Sequence, residues 1–212
     1  MTLPAEEVKA ELVKTTLALM DEGGIEAVKA RPIAKSVGIS VGSVYNMFGS
    51  IDGLIQEANA HMLETFAAQV LSEIGSTDAD REKRLAEGEI SAESALEERL
   101  LSIARVYMNY VERNESRWQA LLAYNQKRSV DILSEQYADQ QVSLFRWLGD
   151  SLADTNVGKD ESSRKLAARM LWSAVHGIMV LNYVGQATPE SRDYTWRQVE
   201  LFVHSFVRGV TV

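Results

Sequence analysis

The 212-residue sequence predicts an all-α protein of about nine helices. Apolar residues recur at three- and four-residue spacing along most of the chain, the pattern of helices that bury one face. No alternating strand pattern, internal repeat or low-complexity tract competes with that reading. Glycines and capping residues cut the pattern into pieces of helix length, as at Gly23-Gly24, Gly38 and Thr188-Pro189. The pieces group into an N-terminal three-helix domain over residues 1–52 and a helical bundle over residues 53–212.

Helix one is expected from about Pro4 to Glu22, with Val8, Leu12, Thr16, Leu19 and Met20 inward, and Ile25 and Val28 carry the chain back to the core. Helix two starts near Pro32, tolerated in a first turn because the missing N–H has no partner there. Ile33, Ala34 and Val37 give it an inward face, and Gly38 stops it in the left-handed conformation that glycine adopts without strain. Ile39 plugs the turn, and Ser40 is placed to cap helix three, about Val41 to Met47. Helix, glycine turn and short helix make a helix-turn-helix, whose second helix enters the DNA major groove. Small residues at the start of that helix let its backbone approach base edges. Val41 suits a thymine methyl, Gly42 leaves room, and Ser43 and Asn46 can hydrogen-bond to bases. The competing reading of the same stretch is a helical hairpin inside a core.

Helix four is expected from Asp52 to Ile74 with the stripe Ile55, Ala58, Met62, Phe66, Val70 and Ile74. Gly75 is expected to end it, and the charged residues 76–91 to form the junction between domains. Ser94 and Glu97 spell a capping box for helix five, which carries Leu96, Leu100, Ile103, Val106, Tyr107 and Tyr110 up to Arg113. Asn114 opens helix six, with Trp118, Leu121 and Leu122 inward. Helix seven runs from about Val130 to Asp154 through Ile132, Leu133, Tyr137, Val142, Leu144, Phe145, Trp147 and Leu148. Helix eight spans about Ser162 to Val184 and is apolar nearly all round from Leu166 onward, so it needs cover on more than one side. Gly177 within it implies close approach of a neighbouring helix. Helix nine begins at Thr188-Pro189 and presents Trp196, Val199, Val203, Phe206 and Val210, with Phe202 beside them.

Net charge is −8, an acidic balance that on average disfavours nucleic acid. Its distribution points the other way. Residues 25–50 hold Lys29, Arg31 and Lys35 against Glu26 alone, for +2, while residues 1–24 carry −3 and the remainder −7. The cationic island therefore coincides with the helix-turn-helix, and Arg31 and Lys35 are candidate phosphate contacts. With no cysteine there is no disulfide, thiolate metal site or cysteine nucleophile, which fits a cytoplasmic protein. The polar opening MTLPAEEVKAEL is no signal peptide, and the apolar run Met170 to Gly185 is too short for a bilayer, so a buried helix is expected there.

The stretch from Leu12 to Leu54 resembles the N-terminal domain of the TetR family of transcriptional repressors. The likeness rests on the helix ending in Gly23-Gly24, the IA of helix two, the G-I-S turn, and Tyr45 to Phe48 followed by Gly53-Leu54. It implies that Tyr45 packs behind the reading helix and gives its hydroxyl to a phosphate. Two departures weaken expected DNA contacts: Lys29 stands where a capping serine or threonine is usual, and Ile51 where a lysine is usual. WSAVHGIMVLN, from Trp172, resembles the tryptophan-histidine-glycine signature of one C-terminal subgroup of the family.

The resemblance further implies a small effector held among helices five to eight and a dimer formed by the last two helices. Here Tyr107, Tyr110, Trp118, Leu122, Trp147, Trp172 and His176 are the candidates for the cavity, suited to an apolar or aromatic effector. His176 reads either as a core histidine satisfied by a carbonyl or as a polar group lining that cavity. Val175, Met179, Trp196, Val199, Val203 and Phe206 are the candidates for the dimer interface. The implied function is a dimeric repressor that binds a palindromic operator and is released by its effector. The rival is a helical small-molecule-binding protein or enzyme. It has little behind it, since His61, His176 and His204 lack metal-ligand spacing and no phosphate loop or serine elbow is present. Neither catalysis, metal, cofactor nor membrane partner is expected.

Overall fold

The computed structural model describes residues 4–126, 147–182 and 188–211. Among these the structure is helical without strands: α1 (Ala5–Gly23), α2 (Ala30–Val37), α3 (Val41–Phe48), α4 (Ile51–Ala86), α5 (Ala92–Arg113), α6 (Glu115–Gln126), α7 described over 147–151, α8 (Glu161–Asn182) and α9 (Pro189–Thr211). Most of the expected seventh helix, including Ile132, Leu133, Tyr137, Val142, Leu144 and Phe145, lies outside the described residues.

The described residues fall into two compact units. The first holds 4–65 and 114–126, the second 66–113, 147–182 and 188–211. The boundary expected at residue 52 falls in the first turn of α4. In the first unit α1 packs on α2 and α6. Its buried side chains are Val8, Leu12, Val13, Leu17 and Met20 of α1, joined by Ile33, Ala34, Val44, Leu54, Ala58, Met62 and Trp118. Leu17 takes the inward place expected of Leu19, which is half-buried. The Arg117 guanidinium donates to both carboxylate oxygens of Asp21, at 2.7 and 2.6 Å, and ties α6 to α1.

In the second unit α9 packs on α5 and α8. Polar contacts line the α5–α9 seam: His204 against Glu97 at 3.0 Å, the Arg105 guanidinium over the Trp196 ring at 3.2 Å, and Arg192 on Asn109 at 2.9 Å. The buried residues of α8 are Ala167, Ala168, Leu171, Val175 and Met179.

Three expectations are corrected. Gly75 does not end α4, which continues to Ala86. The Ser76 and Thr77 hydroxyls donate back to the Glu73 carbonyl at 2.8 and 3.0 Å, which keeps them inside the helical ladder. Arg84 then pairs with Glu98 of α5 at 2.9 and 3.1 Å, and Arg99 of α5 with Asp78 at 3.3 Å, so the charged stretch is held against a neighbour. The glycine that terminates the helix is Gly88, at φ +74°, with Glu89 N–H closing on the Arg84 carbonyl. Helix five is capped by Ser91 instead of Ser94: the Ser94 N–H donates to Ser91 Oγ at 3.1 Å, and Glu97 is engaged by His204. Finally, apart from the helix's own backbone, no described atom lies within 4 Å of a side chain built at Gly177, so among the described residues no neighbouring helix makes the close approach expected there.

Candidate nucleic-acid interface and effector site

The turn between α2 and α3 is closed by backbone bonds that only its sequence permits. Gly38 sits at φ +76°, ψ +29°, and its N–H reaches the Ala34 and Lys35 carbonyls, while Ile39 N–H reaches the Ala34 carbonyl at 2.9 Å. Ser40 is then extended, at φ −76°, ψ 152°, and its side-chain oxygen accepts from Ser43 N–H at 3.0 Å. Ser40 Oγ and Ser43 Oγ also share a hydrogen bond of 2.8 Å. Val44 is fully buried and anchors α3 to the core of the unit. The opposite side of α3 is open. Gly42 and Asn46 are exposed, Val41 and Ser43 half-buried, and Tyr45 is 43% exposed. Phe48 is half-buried.

Arg31 and Lys35 are exposed on α2, and Lys29 is exposed as the residue preceding it. The other cations among the described residues of this unit are neutralised: Lys9 by Glu6, Lys14 by Glu11, Arg117 by Asp21. Among the described residues no carboxylate comes within ion-pair distance of Lys29, Arg31 or Lys35. Lys29 supplies no cap, as its identity requires, and contributes a free cation in its place. The face can therefore offer three unneutralised cations, a phenol and a carboxamide to an anionic lattice.

Four of the seven residues considered for the effector cavity come together in the second unit. Phe66 joins them, a residue read only as helix-stripe filler from sequence. Its ring lies 5.7 Å from Tyr107, 5.3 Å from Tyr110 and 6.1 Å from Trp172. Tyr107 and Trp172 are 4.9 Å apart, and Trp172 stacks on His176 at 5.7 Å and 17°. His176 Nδ1 and the Tyr107 hydroxyl share a hydrogen bond of 2.7 Å, in place of the carbonyl partner considered from sequence. Burial holds the His176 pKa below its ordinary value, so the imidazole stays neutral near pH 7. Beside the cluster is an apolar cavity of about 20 Å³ bounded by Leu100, Ile103, Tyr107, Leu148, Trp172 and Val203. That is the space of about one water and far below the 300–1,000 Å³ of an effector pocket. Trp118 and Leu122 belong to the first unit, and Trp147 is half-buried in the described part of α7.

Of the residues considered for the dimer interface, Val175, Met179, Val199 and Val203 are buried within the protomer itself. Trp196 and Phe206 are half-buried. The apolar side chains left in solvent on α8 and α9 are different ones: Leu166, Met170, Leu181, Tyr194 and Leu201, with Leu181 81% and Leu201 68% exposed. His61 is exposed beside Glu64, and no cluster of three metal-ligating side chains occurs among the described residues. No described helix is long and apolar enough to cross a membrane.

Residues 12–58 match the family model described as bacterial regulatory proteins, tetR family, and residues 100–202 match the tetracyclin repressor-like C-terminal domain. The chain belongs to the TetR family. Within it, the HTH-type transcriptional regulator BetI of Vibrio campbellii is 31% identical over 72 residues, a stretch covering 34% of this chain and 36% of that one. The fold is shared with solved structures of transcriptional regulators. A tetR-family transcriptional regulator from Streptomyces coelicolor superposes with a TM-score of 0.63 at 18% identity, covering 98% of this chain and 89% of that one. A transcriptional regulator from Rhodococcus sp. Rha1 gives 0.60 at 18% identity over 96% and 98%.

Proposed function

We propose that the protein is a ligand-responsive transcriptional regulator that represses by binding a palindromic operator as a homodimer in the cytoplasm. The observation that carries this is the open face of α3 set beside three unpaired cations. Family membership supports it. One α3 per subunit enters each of two successive major grooves, with Ser43, Asn46 and Val41 toward the bases and Arg31, Lys35 and the Tyr45 hydroxyl toward phosphates. Ser40 holds the start of the helix, and Gly42 lets its backbone close on the duplex. The second copy covers the solvent-exposed apolar residues of α8 and α9, and Gly177 gives it room to approach.

The effector is apolar or aromatic and enters among Phe66, Tyr107, Trp172 and His176, opening the small cavity there. It favours a position of α4 in which the two reading helices no longer match the spacing of adjacent major grooves, and it weakens operator binding by its preference for that state. No catalytic step is assigned to any residue. Fluorescence anisotropy with the DNA upstream of the protein's own gene tests the reading. Binding at least about 10³-fold tighter than to scrambled DNA is expected, and Tyr45→Phe should weaken it. Equal binding to both sequences, or none at low salt, would overturn it.

A further inference from the structure

Residues 58–60 of α4 are all fully enclosed in the first unit. Successive helix residues stand about 100° apart, so the cover extends around more than half of the helix here, with His61 on the open side. Ala58 and Ala60 suit such a place. Asn59 does not: neither its amide nitrogen nor its carbonyl oxygen has a hydrogen-bond partner among the described residues. The same unit handles another enclosed polar group, Thr16, by letting its hydroxyl donate to the Leu12 carbonyl at 2.8 Å. Asn59 is enclosed from bulk solvent and gains no hydrogen bond from the described residues in exchange, and asparagine is also a poorer helix former than alanine or leucine. An apolar residue of the same size would make this packing more stable.

We propose that Asn59 is a bias element, which raises the energy of this seating of α4 so that a second seating, in which the amide finds a partner or water, stays populated. The inference rests on the reading above in which α4 carries the response to effector. Two features connect Asn59 to the reader within the first unit. α4 begins three residues after α3 ends, and a side chain built at Gly53 would lie 2.2 Å from the Phe48 carbonyl oxygen, so this corner has no slack. A shift of α4 at Asn59 is therefore felt at α3.

Hydrogen–deuterium exchange on the full-length chain tests this. Asn59→Leu, nearly isosteric, should slow exchange of the amides of residues 55–63 about tenfold and raise Tm, as expected when an unsatisfied buried amide is removed. Asn59→Asp should speed the same exchange, and the two variants should shift operator affinity in opposite directions from wild type. Unchanged or faster exchange in Asn59→Leu, or a lower Tm, would overturn the proposal; Asn59→Ala is read in the same way should the leucine variant not fold. Failure of the wild-type protein to bind DNA would defeat the regulatory reading alone, because the exchange comparison needs no DNA.

Discussion

A side chain at Gly42 would meet only Ser40 Oγ, at 3.6 Å, an ordinary contact. The fold therefore does not require glycine there, and a helix-interior glycine costs about 0.5–1 kcal/mol against alanine. Gly42→Ala is expected to raise Tm by roughly 2–3 °C while weakening operator binding by at least about tenfold, a loss of ~1.4 kcal/mol. Thermal denaturation and anisotropy on one preparation check both signs; a variant that binds as well as wild type would remove Gly42 from the interface. His176 gives a second residue-level prediction. Burial depresses its pKa, so the unfolded chain takes up the proton first. Its contribution to stability is complete above the unfolded value and is lost as pH falls through that value toward the folded one. A Tm series from pH 8 to 5 should fall more steeply for wild type than for His176→Asn. Ser40 was legible because a serine after a glycine turn has one obvious use. The His176 partner was not, since Tyr107 lies 69 residues away.

At the scale of elements, the α3–α4 corner has the least room. Gly49 takes φ +72°, the Ser50 hydroxyl accepts from Gly53 N–H at 2.9 Å, and Gly53 abuts the Phe48 carbonyl. Gly53→Ala should destabilise by roughly 2–3 kcal/mol, measured by chemical denaturation; an effect below about 0.5 kcal/mol would show that the corner yields. Local signals fixed most helix ends: Gly38 and Asn114 act through their own backbone, and Thr188 also through its hydroxyl, which accepts from Ser191 N–H. They failed where distant partners decide. Gly75-Ser76-Thr77 looks like a stop until Asp78 and Arg84 are seen to pair with Arg99 and Glu98 of α5. Ser91 and Ser94 compete for one cap, which Ser91 takes, and the Glu97 that would complete a box with Ser94 is paired with His204.

For the whole molecule, the acidic total of −8 conceals a division of labour. Paired charges bind helix to helix, while the cations at the reader are left unpaired. The reader was readable in advance because its α2 and α3 lie within twenty consecutive residues. The aromatic cluster was only half readable: periodicity places Tyr107 and Trp172 on inward faces without showing that Phe66 of α4 joins them, or that Trp118 sits in the other unit. The same gap explains the dimer residues, since a stripe that faces inward cannot say whether its cover comes from the same chain or a second copy.

The most direct measurement is the salt dependence of binding to the upstream DNA, for wild type and for a variant with Lys29, Arg31 and Lys35 all changed to Gln. Each lost phosphate contact should lower the slope of log affinity against log salt by about 0.9, and the dimer carries two copies of each cation, so a drop of about 5 with Tm unchanged is predicted. Identical slopes for the two proteins would contradict a reader built on these cations.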